Sequence, residues 1–278
     1  SRRGPAVPDW EMTPILPTLA ERAKAFLREC AEAKRPFLLY FPLTAPHEPI
    51  AVNDPWKGAS GLNAYADFVM ETDAIVGSVL DEIDRLELTD DTLLIFTSDN
   101  GKAAYTGAAE LERMGHYSSG PLRGYKTSVY EGGHRLPFIV RWPGVVTPGT
   151  VCDQLVHQAD VFATVREVLD VAVSEPAGED SFSLVPLLRG EDRPIRPHAV
   201  SCAASGLPGV REGTWKFIPA KKPELYDLSR DIGETTNRAE QEPERVAHMR
   251  ALLEEIISRG RSTPGDPLPN DVPVRRFP

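Results

Sequence analysis

The stretch of residues 93–101 constrains the fold most strongly, because it joins a short apolar run to two adjacent oxygen-bearing side chains. Its Leu, Ile, Phe and Thr residues favour a strand buried on both faces, as parallel strands usually are. The carboxyl ends of such strands open into the ligand crevice of an α/β sheet. Asp99 and Asn100 would lie there, and their oxygens suit Ca²⁺ or Mg²⁺. Asp-Asn-Gly is also good turn chemistry, and this stretch taken alone favours a simple turn.

Apolar patterns elsewhere alternate between helix and strand. Residues 16–33 and 64–86 carry apolar side chains at spacings of three and four, which predicts two amphipathic helices. Residues 37–41 and 136–142 are short apolar runs, which predict two further strands, the first of them buried. Helices alternating with strands are typical of a mostly parallel sheet sandwiched by helices, so the predicted fold class is α/β.

The pattern changes near residue 174, where short apolar runs alternate with Gly, Pro and charged residues and predict a small antiparallel sheet. These runs are residues 183–188, 199–202 and 215–218. Residues 243–259 follow as a last amphipathic helix. The predicted division is an α/β domain over 1–173, a smaller C-terminal α+β subdomain over 174–261, and an extended Pro-rich tail over 262–278.

Composition excludes several classes of protein. The chain has 31 Lys and Arg against 41 Asp and Glu, a net charge of −10, which argues against nucleic acid as a partner. No apolar stretch of about 18 residues predicts a membrane span. Three scattered cysteines without a C-x-x-C pair argue against a disulfide framework or a structural zinc site. No signal peptide is visible, and periplasmic, secreted and cytoplasmic bacterial locations all stay open.

A histidine and a lysine are further candidates for chemistry. His47 lies in a loop directly after the predicted strand 37–41, between Pro46 and Pro49, which restrict the backbone around the imidazole. Lys126 ends the glycine-containing segment 120–126. A lone histidine is more often structural than catalytic, and a lone lysine is usually a surface charge, so neither residue decides the function by itself.

Together these segments resemble the sulfatase family, of the arylsulfatase type within the alkaline phosphatase superfamily. The matching segments follow one another in register over most of the chain. They are residues 45–49 (APHEP), 97–101 (TSDNG), 120–126 (GPLRGYK), 130–137 (YEGGHRLP), 141–144 (RWPG), 180–190 (DSFSLVPLLRG) and 224–228 (ELYDL), the last followed by Asp231, Glu234 and Asn237. The resemblance implies an alkaline phosphatase-like fold and hydrolysis of a small-molecule sulfate ester.

The resemblance also implies roles for individual residues. Asp99 and Asn100 resemble two ligands of one Ca²⁺, or sometimes Mg²⁺, that neutralises sulfate oxygens. Lys126 is similar to the lysine that contacts a sulfate oxygen, and His47 to the histidine that protonates the leaving oxygen. His116 either lines the substrate pocket or has no role. Two motif residues to which we assign only structural roles are Arg123 and His134.

The nucleophile of the family is not found in this chain. In sulfatases a cysteine or serine in a C/S-x-P/A-x-R motif is oxidised to formylglycine, and the surroundings of Cys30, Cys152 and Cys202 do not match that motif. The N-terminal strand that ends in paired aspartates is also absent. We therefore expect the C-terminal portion of a sulfatase, inactive alone, with a partner in the N-terminal half of the same enzyme or in an oligomer.

Two alternatives stay open at this point. A phosphonate monoester hydrolase shares the formylglycine plan, and a phosphodiesterase belongs to the same superfamily. Two-metal phosphatases and phosphodiesterases generally need Asp-His pairs, whereas this strand ends in Asp99 and Asn100. The other alternative is a catalytically inactive fragment that binds anions or a partner. A nucleophile motif upstream in the source polypeptide would separate the enzyme from the inactive fragment.

Overall fold

The computed structural model describes residues 7–172 and 177–274, and the chain divides into two compact units. The first unit comprises Ser1–Thr92 and Ala104–Ser118, and the second comprises Leu93–Ala103 and Ser119–Pro278. The predicted boundary between residues 173 and 174 and the end of the predicted tail lie outside the described residues. The predicted division into 1–173, 174–261 and 262–278 therefore stays a prediction.

Helices form the regular structure described in the first unit. They are α1 (Ile15–Glu32), α2 (Ala64–Arg85) and α3 (Ala108–Arg113), with short 3-10 turns at Thr89–Asp91 and Ala104–Thr106. The two long helices confirm the helices predicted from apolar spacing, and Arg28 Nε lies 2.6 Å from Glu82 Oε1 between them. The Asn63 side chain caps α2 by accepting a hydrogen bond from Ala66 N. Within the described ranges, no helix is both long and apolar enough to cross a membrane.

The loop between α1 and α2 carries His47 and is held by buried groups. Asn53 donates through Nδ2 to Glu71 Oε1 at 2.6 Å, and its backbone N–H donates to Glu71 Oε2 at 2.9 Å. A buried apolar cluster joins this loop to both helices; its members are Leu16, Ala45, Val52 and Phe68. The path of the loop is therefore fixed by burial and by hydrogen bonds to a buried carboxylate.

The predicted buried strand at residues 37–41 is wrong in this structure. The segment has no regular secondary structure and pairs with no strand among the described residues. Its burial alternates residue by residue, and Leu38 and Tyr40 are 76% and 84% exposed. An apolar run indicates a strand through its side chains, but a strand also needs a neighbour that completes the backbone hydrogen bonds. That neighbour is not present in the part of the chain described.

The second unit begins with a two-stranded antiparallel sheet. Strand β1 (Leu94–Thr97) pairs with β2 (Phe138–Arg141) in a register that places Phe96 opposite Ile139. Both strands were predicted from their apolar runs. The expectation that β1 is buried on both faces is wrong, because Phe96 is 39% exposed. Three short helices also belong to this unit: α4 (Glu131–His134), α5 (Asp160–Val168) and α6 (Val185–Leu188).

A four-stranded antiparallel sheet and the last helix form the C-terminal part of the second unit. The strands are β3 (His198–Cys202), β4 (Pro208–Glu212), β5 (Trp215–Ile218) and β6 (Glu224–Asp227), paired in chain order. Helix α7 (Pro243–Arg259) packs on β4 and β5. The core between them comprises Val210, Phe217, Leu225, Met249 and Leu253. Because side chains alternate along a strand, Lys216 and Ile218 face away from α7.

Two predictions of strand structure differ from the structure. The sheets are antiparallel throughout the described residues, rather than mostly parallel, so the fold is mixed α/β. Residues 183–188 contain α6 and not a strand. Pro186 explains the helix, since it lies in the first turn, where its missing N–H costs nothing. The predicted strands at residues 199–202 and 215–218 and the helix at residues 243–259 are confirmed.

Candidate active site

The end of β1 presents Asp99 and Asn100 next to each other. Asp99 is exposed and Asn100 is half-buried. Asn100 Nδ2 donates to the Gly101 carbonyl oxygen at 3.0 Å, so Oδ1 is the amide atom that a cation would take. Gln158 Nε2 donates to the carbonyl oxygen of Ser98 at 3.2 Å, which ties the strand end to the residues just before α5. The strand end thus offers a carboxylate and an amide oxygen on a tethered turn.

The oxygen atoms of Asp99 and Asn100 are of the type that a hard divalent cation binds, but two side chains are too few to complete its coordination. Ca²⁺ takes about six to eight oxygen ligands and Mg²⁺ about six. Among residues 7–172 and 177–274, no group of three or more His, Cys, Asp or Glu side chains is placed to hold a metal ion. Asp99 and Asn100 would therefore hold a metal only with ligands from elsewhere, and the metal stays a prediction.

Gly101, the residue after this pair, packs backbone to backbone against α4. Its N–H donates to the Gly133 carbonyl oxygen at 3.0 Å, and a Cβ at Gly101 would lie 1.9 Å from the Gly132 carbonyl oxygen. The N–H of Gly132 in turn donates to the carbonyl oxygen of Arg123 at 2.8 Å. A Cβ added at Gly132 would lie 2.2 Å from the carbonyl oxygen of Gly124. The approach of three backbone segments at this point leaves room only for glycine.

Lys126 lies two residues after Gly124, which takes part in this glycine contact. Its backbone N–H donates to the carbonyl oxygen of Lys102 at 2.8 Å, two residues beyond Asn100. The residue is half-buried, and Thr127 after it adopts a positive φ of 77°. The structure therefore brings the backbone of the candidate anion-binding lysine against the segment that carries the candidate metal ligands.

The two candidate histidines belong to the first unit. His47 is exposed and its Nδ1 lies 2.7 Å from the carbonyl oxygen of Glu48. Because a carbonyl oxygen can only accept a hydrogen bond, Nδ1 carries the proton in this contact. Nε2 is the ring nitrogen that does not take part in it. His116 is exposed at the end of α3, where its backbone N–H donates to the carbonyl oxygen of Leu111 at 2.9 Å. The roles of both side chains stay predictions.

A buried ionic cluster lies beneath the glycine contact. Lys216 Nζ, from β5, lies 2.9 Å from Glu131 Oε1 and 2.8 Å from Glu234 Oε1, and all three side chains are almost fully buried. The backbone N–H of Glu131 donates to Glu234 Oε2 at 2.6 Å. Arg135 Nε donates to Glu131 Oε2 at 2.6 Å, and His134 Nε2 lies 3.1 Å from Lys216 Nζ. One buried ammonium thus serves two buried carboxylates.

The pKa values of the two carboxyl groups move in opposite directions. Burial raises the pKa of Glu131, but Lys216 and Arg135 outweigh it and bring the value to about 2. Burial holds the pKa of Glu234 above its ordinary value, although Lys216 opposes this. Burial and the nearby Lys216 lower the pKa of His134 to about 4, so His134 is neutral near neutral pH.

Arg123 joins the same region to the C-terminal sheet. Its guanidinium lies 3.7 Å from the centre of the Tyr130 ring, and Nη1 donates to Tyr226 Oη at 3.1 Å and to the Glu234 carbonyl oxygen at 2.8 Å. Tyr130 Oη donates to Glu224 Oε2 at 2.9 Å. These contacts, like those of His134, are within the protein and agree with the structural roles that we predict for Arg123 and His134.

Sequence reasoning missed Lys216 and Glu234 as parts of this region. The available signal was a lysine between two aromatic residues in the apolar run of residues 215–218, since a charge in a buried strand needs a buried partner. The local pattern does not predict that Glu131 is this partner, because Lys216 and Glu131 are 85 positions apart in the sequence.

The chain is thus a mixed α/β protein in which a carboxylate and an amide side chain follow one strand, and the backbone of Lys126 contacts the same segment. The sulfatase family matches residues 17–171. The family described as N-sulphoglucosamine sulphohydrolase, C-terminal, matches residues 124–261. The chain belongs to the sulfatase family.

Individual relatives agree with this membership. The chain is 35% identical over 270 residues to an N-acetylgalactosamine-6-O-sulfatase of Bacteroides thetaiotaomicron, a match over 90% of this chain and 52% of that protein. It is 33% identical to the steryl-sulfatase of Mus musculus, over 88% of this chain and 44% of that protein. The chain thus spans about half the length of these curated relatives.

Solved structures share the fold. A structure from work on glycosaminoglycan metabolism by Bacteroides thetaiotaomicron has a TM-score of 0.82 at 34% identity, covering 89% of this chain and 55% of that one. A phosphonate monoester hydrolase of Agrobacterium radiobacter has a TM-score of 0.63 at 20% identity, covering 86% of this chain and 60% of that one. The second similarity concerns the fold alone.

Proposed function

We propose that this chain is the C-terminal portion of a sulfuric ester hydrolase that cleaves a sulfate monoester with the help of a bound Ca²⁺ or Mg²⁺. The observation that carries the proposal is the 2.8 Å hydrogen bond from Lys126 N to the Lys102 carbonyl oxygen. It holds the backbone of Lys126 against the segment that begins with Asp99 and Asn100. A sulfate monoester is anionic, and clustered positive charge stabilises the charge that shifts in its transition state.

Each candidate residue has a distinct task in this proposal. Asp99 and Asn100 would hold the metal, which when bound supplies positive charge to the sulfate oxygens. The ammonium of Lys126 donates hydrogen bonds to a non-bridging sulfate oxygen and orients the group. His47, with Nδ1–H on the Glu48 carbonyl oxygen, gives a proton from Nε2 to the departing oxygen when the imidazole is doubly protonated.

The nucleophile is proposed to come from outside the residues of this chain. A formylglycine provides an oxygen nucleophile for the sulfur, and the surroundings of Cys30, Cys152 and Cys202 do not match the motif that is converted to it. We therefore infer that this chain alone does not turn over sulfate esters. An N-terminal sulfatase segment would also provide the remaining metal ligands.

Exposed apolar side chains support a partner segment. In the first unit, Leu38 and Tyr40 of residues 37–41 are 76% and 84% exposed. In the second unit, the cross-strand pair Phe96 and Ile139 is 39% and 58% exposed on the two-stranded sheet. Exposed apolar side chains on a segment without a strand partner and on a sheet of only two strands are typical of surfaces that another segment covers.

The relatives indicate the class of substrate only broadly. The names of the curated relatives refer to sulfated carbohydrate and steryl substrates, and the proposal for this chain is a sulfate monoester without a named alcohol. A phosphonate monoester hydrolase is the alternative within the same fold. Comparing turnover of an aryl sulfate with that of a phosphonate monoester separates the two.

The test is steady-state hydrolysis of an aryl sulfate by a polypeptide that joins this chain to a nucleophile-bearing sulfatase segment. Lys126→Ala should lower turnover by about a hundredfold or more, because it removes one charged donor to the transition state. Lys222→Ala is the control, since Lys222 is exposed in a surface ion pair with Glu240. Unchanged turnover after Lys126→Ala refutes the role, and preference for the phosphonate supports the alternative.

A further inference from the structure

We infer that Lys216, together with Glu131 and Glu234, is a positioning element that holds both the Asp99–Asn100 strand end and the Lys126 segment in place. The inference rests on the proposed function for the meaning of those two segments. It adds a set of buried residues on the C-terminal sheet that do not touch the substrate. Their task is to fix the backbone from which the substrate-binding side chains project.

The first step is the contact between the sheet and α4. Lys216 projects from the face of β5 opposite the α7 core and ends 2.9 Å from Glu131 Oε1, at the first residue of α4. The backbone N–H of Glu131 donates to Glu234 Oε2 at 2.6 Å. Glu131 is therefore held both by its side chain and by its backbone, from two parts of the C-terminal region that are separated in sequence.

The second step is the contact between α4 and the candidate site. Gly132 and Gly133 follow Glu131 directly, and they receive the close backbone approach of Gly101 and the hydrogen bond from its N–H. Gly132 N–H also donates to the carbonyl oxygen of Arg123 at 2.8 Å, three residues before Lys126. A shift of Glu131 would thus move the strand end and the lysine segment together, because glycine contacts leave no side chains to absorb it.

The third step is a second hold on the lysine segment. Arg123 Nη1 donates to the carbonyl oxygen of Glu234 at 2.8 Å. Close by in sequence, a Cβ added at Gly233 would lie 3.0 Å from the carbonyl oxygen of Pro121. The loop that carries the buried carboxylate therefore also contacts residues 121–123. Glu234 adopts a positive φ of 52°, a strained conformation for a residue other than glycine. Its tertiary contacts hold that conformation, as expected where surrounding structure determines the backbone.

A purely structural ion cluster and a positioning element predict different responses to Lys216→Met. Loss of a structural cluster would loosen the second unit as a whole, including α7 and β3. Loss of a positioning element would loosen the glycine contact first. The amides of Gly101, Lys126 and Gly132 report on this contact, because each makes one of the backbone hydrogen bonds described above.

The experiment combines hydrogen exchange on the full 278-residue chain with kinetics of the joined polypeptide described above. In Lys216→Met, exchange at the three reporter amides should rise about tenfold while the amides of α7 stay within about twofold of the parent. Turnover of an aryl sulfate should fall by about a hundredfold with little change in KM, as expected for misplaced groups. Lys222→Met is the matched control and should change neither measurement.

Lys216→Met leaves two buried carboxylates without their shared cation, and this variant could fail to fold. Glu234→Gln is therefore a second variant. It keeps the shape of the side chain and weakens the bond to the Glu131 N–H, and it should raise exchange at the same three amides. Exchange that rises equally in α7, or turnover that stays within about twofold of the parent, overturns the inference. If the parent polypeptide itself hydrolyses no sulfate ester, the proposed function fails, and the exchange pattern still decides the role of Lys216.

Discussion

Gly101→Ala is the substitution whose effect the structure defines most closely. A Cβ at this position would lie 1.9 Å from the carbonyl oxygen of Gly132, whereas ordinary contacts begin at 3.4 Å, so the two backbones must separate by about 1.5 Å. Such overpacking costs about 1–3 kcal/mol. The separation also breaks the hydrogen bond from Gly101 N to the Gly133 carbonyl oxygen, worth about 0.5–1.5 kcal/mol. We expect the second unit to lose roughly 1.5–4.5 kcal/mol of unfolding free energy.

The assay is urea unfolding followed by tryptophan fluorescence, with hydrogen exchange to assign the change to the second unit. Trp142 and Trp215 report on that unit, and Trp56 on the first. Gly77→Ala is the control and should stabilise rather than destabilise, because Gly77 lies within α2 and an added Cβ would meet no atom within 4 Å other than its chain neighbours and the backbone of its own helix. It should stabilise the first unit by about 0.5–1 kcal/mol. A Gly101→Ala chain as stable as the parent would refute the reasoning about the backbone contact.

Two further predictions concern buried charge. Arg196→Met should destabilise the chain by about 3–5 kcal/mol in urea unfolding, because Asp160, 2.6 Å away and fully buried, loses its cation. Arg193→Met removes an exposed pair of the same length and should cost at most about 1 kcal/mol; equal losses would contradict this account. Acid should also destabilise the chain: the unfolded state takes up a proton on His134 below its ordinary pKa of 6.5, while the folded value is about 4. Glu131 extends the loss from its ordinary 4.5 towards about 2, and the raised pKa of Glu234 offsets part of it, because the folded state then takes up that proton first; unfolding midpoints that stay constant from neutral pH to about pH 4 would contradict the pKa shifts.

Local patterns predicted the long helices well. Helices α1, α2 and α7 each bury a stripe of apolar residues at helical spacing, and that spacing is present in the sequence itself. The strands β1, β2, β3 and β5 were also predicted, since short apolar runs mark them. The side-chain pattern of these elements is visible in the sequence before their neighbours are known.

Elements that depend on a partner were predicted poorly. Residues 37–41 have the composition of a strand, but no described neighbour pairs with them. The prediction of a mostly parallel sheet was wrong, because the relative direction of two strands cannot be inferred from the sequence of one of them. Residues 183–188 were assigned as a strand by apolar content, although Pro186 in the first turn indicates the short helix.

The candidate site divides in the same way. Asp99, Asn100 and Lys126 are candidates from their motifs, and their roles stay predictions; the structure joins their backbone segments through Lys102 and the glycine contact. Lys216 was not identified, because its partner Glu131 is distant in sequence and only the tertiary fold brings them together. The motifs contain Glu131 and Glu234, but the contacts that join these residues to Lys216 are long-range, and no local pattern predicts them.

Titration of a nucleophile-bearing N-terminal sulfatase segment into this chain, with hydrolysis of an aryl sulfate as the signal, tests the proposed function. We predict no turnover from the chain alone, and turnover that appears and saturates as the segment is added in the presence of Ca²⁺. Lys126→Ala should lower this signal by about a hundredfold or more. Turnover by the chain alone, or a saturating signal that Lys126→Ala leaves unchanged, would contradict the proposed function.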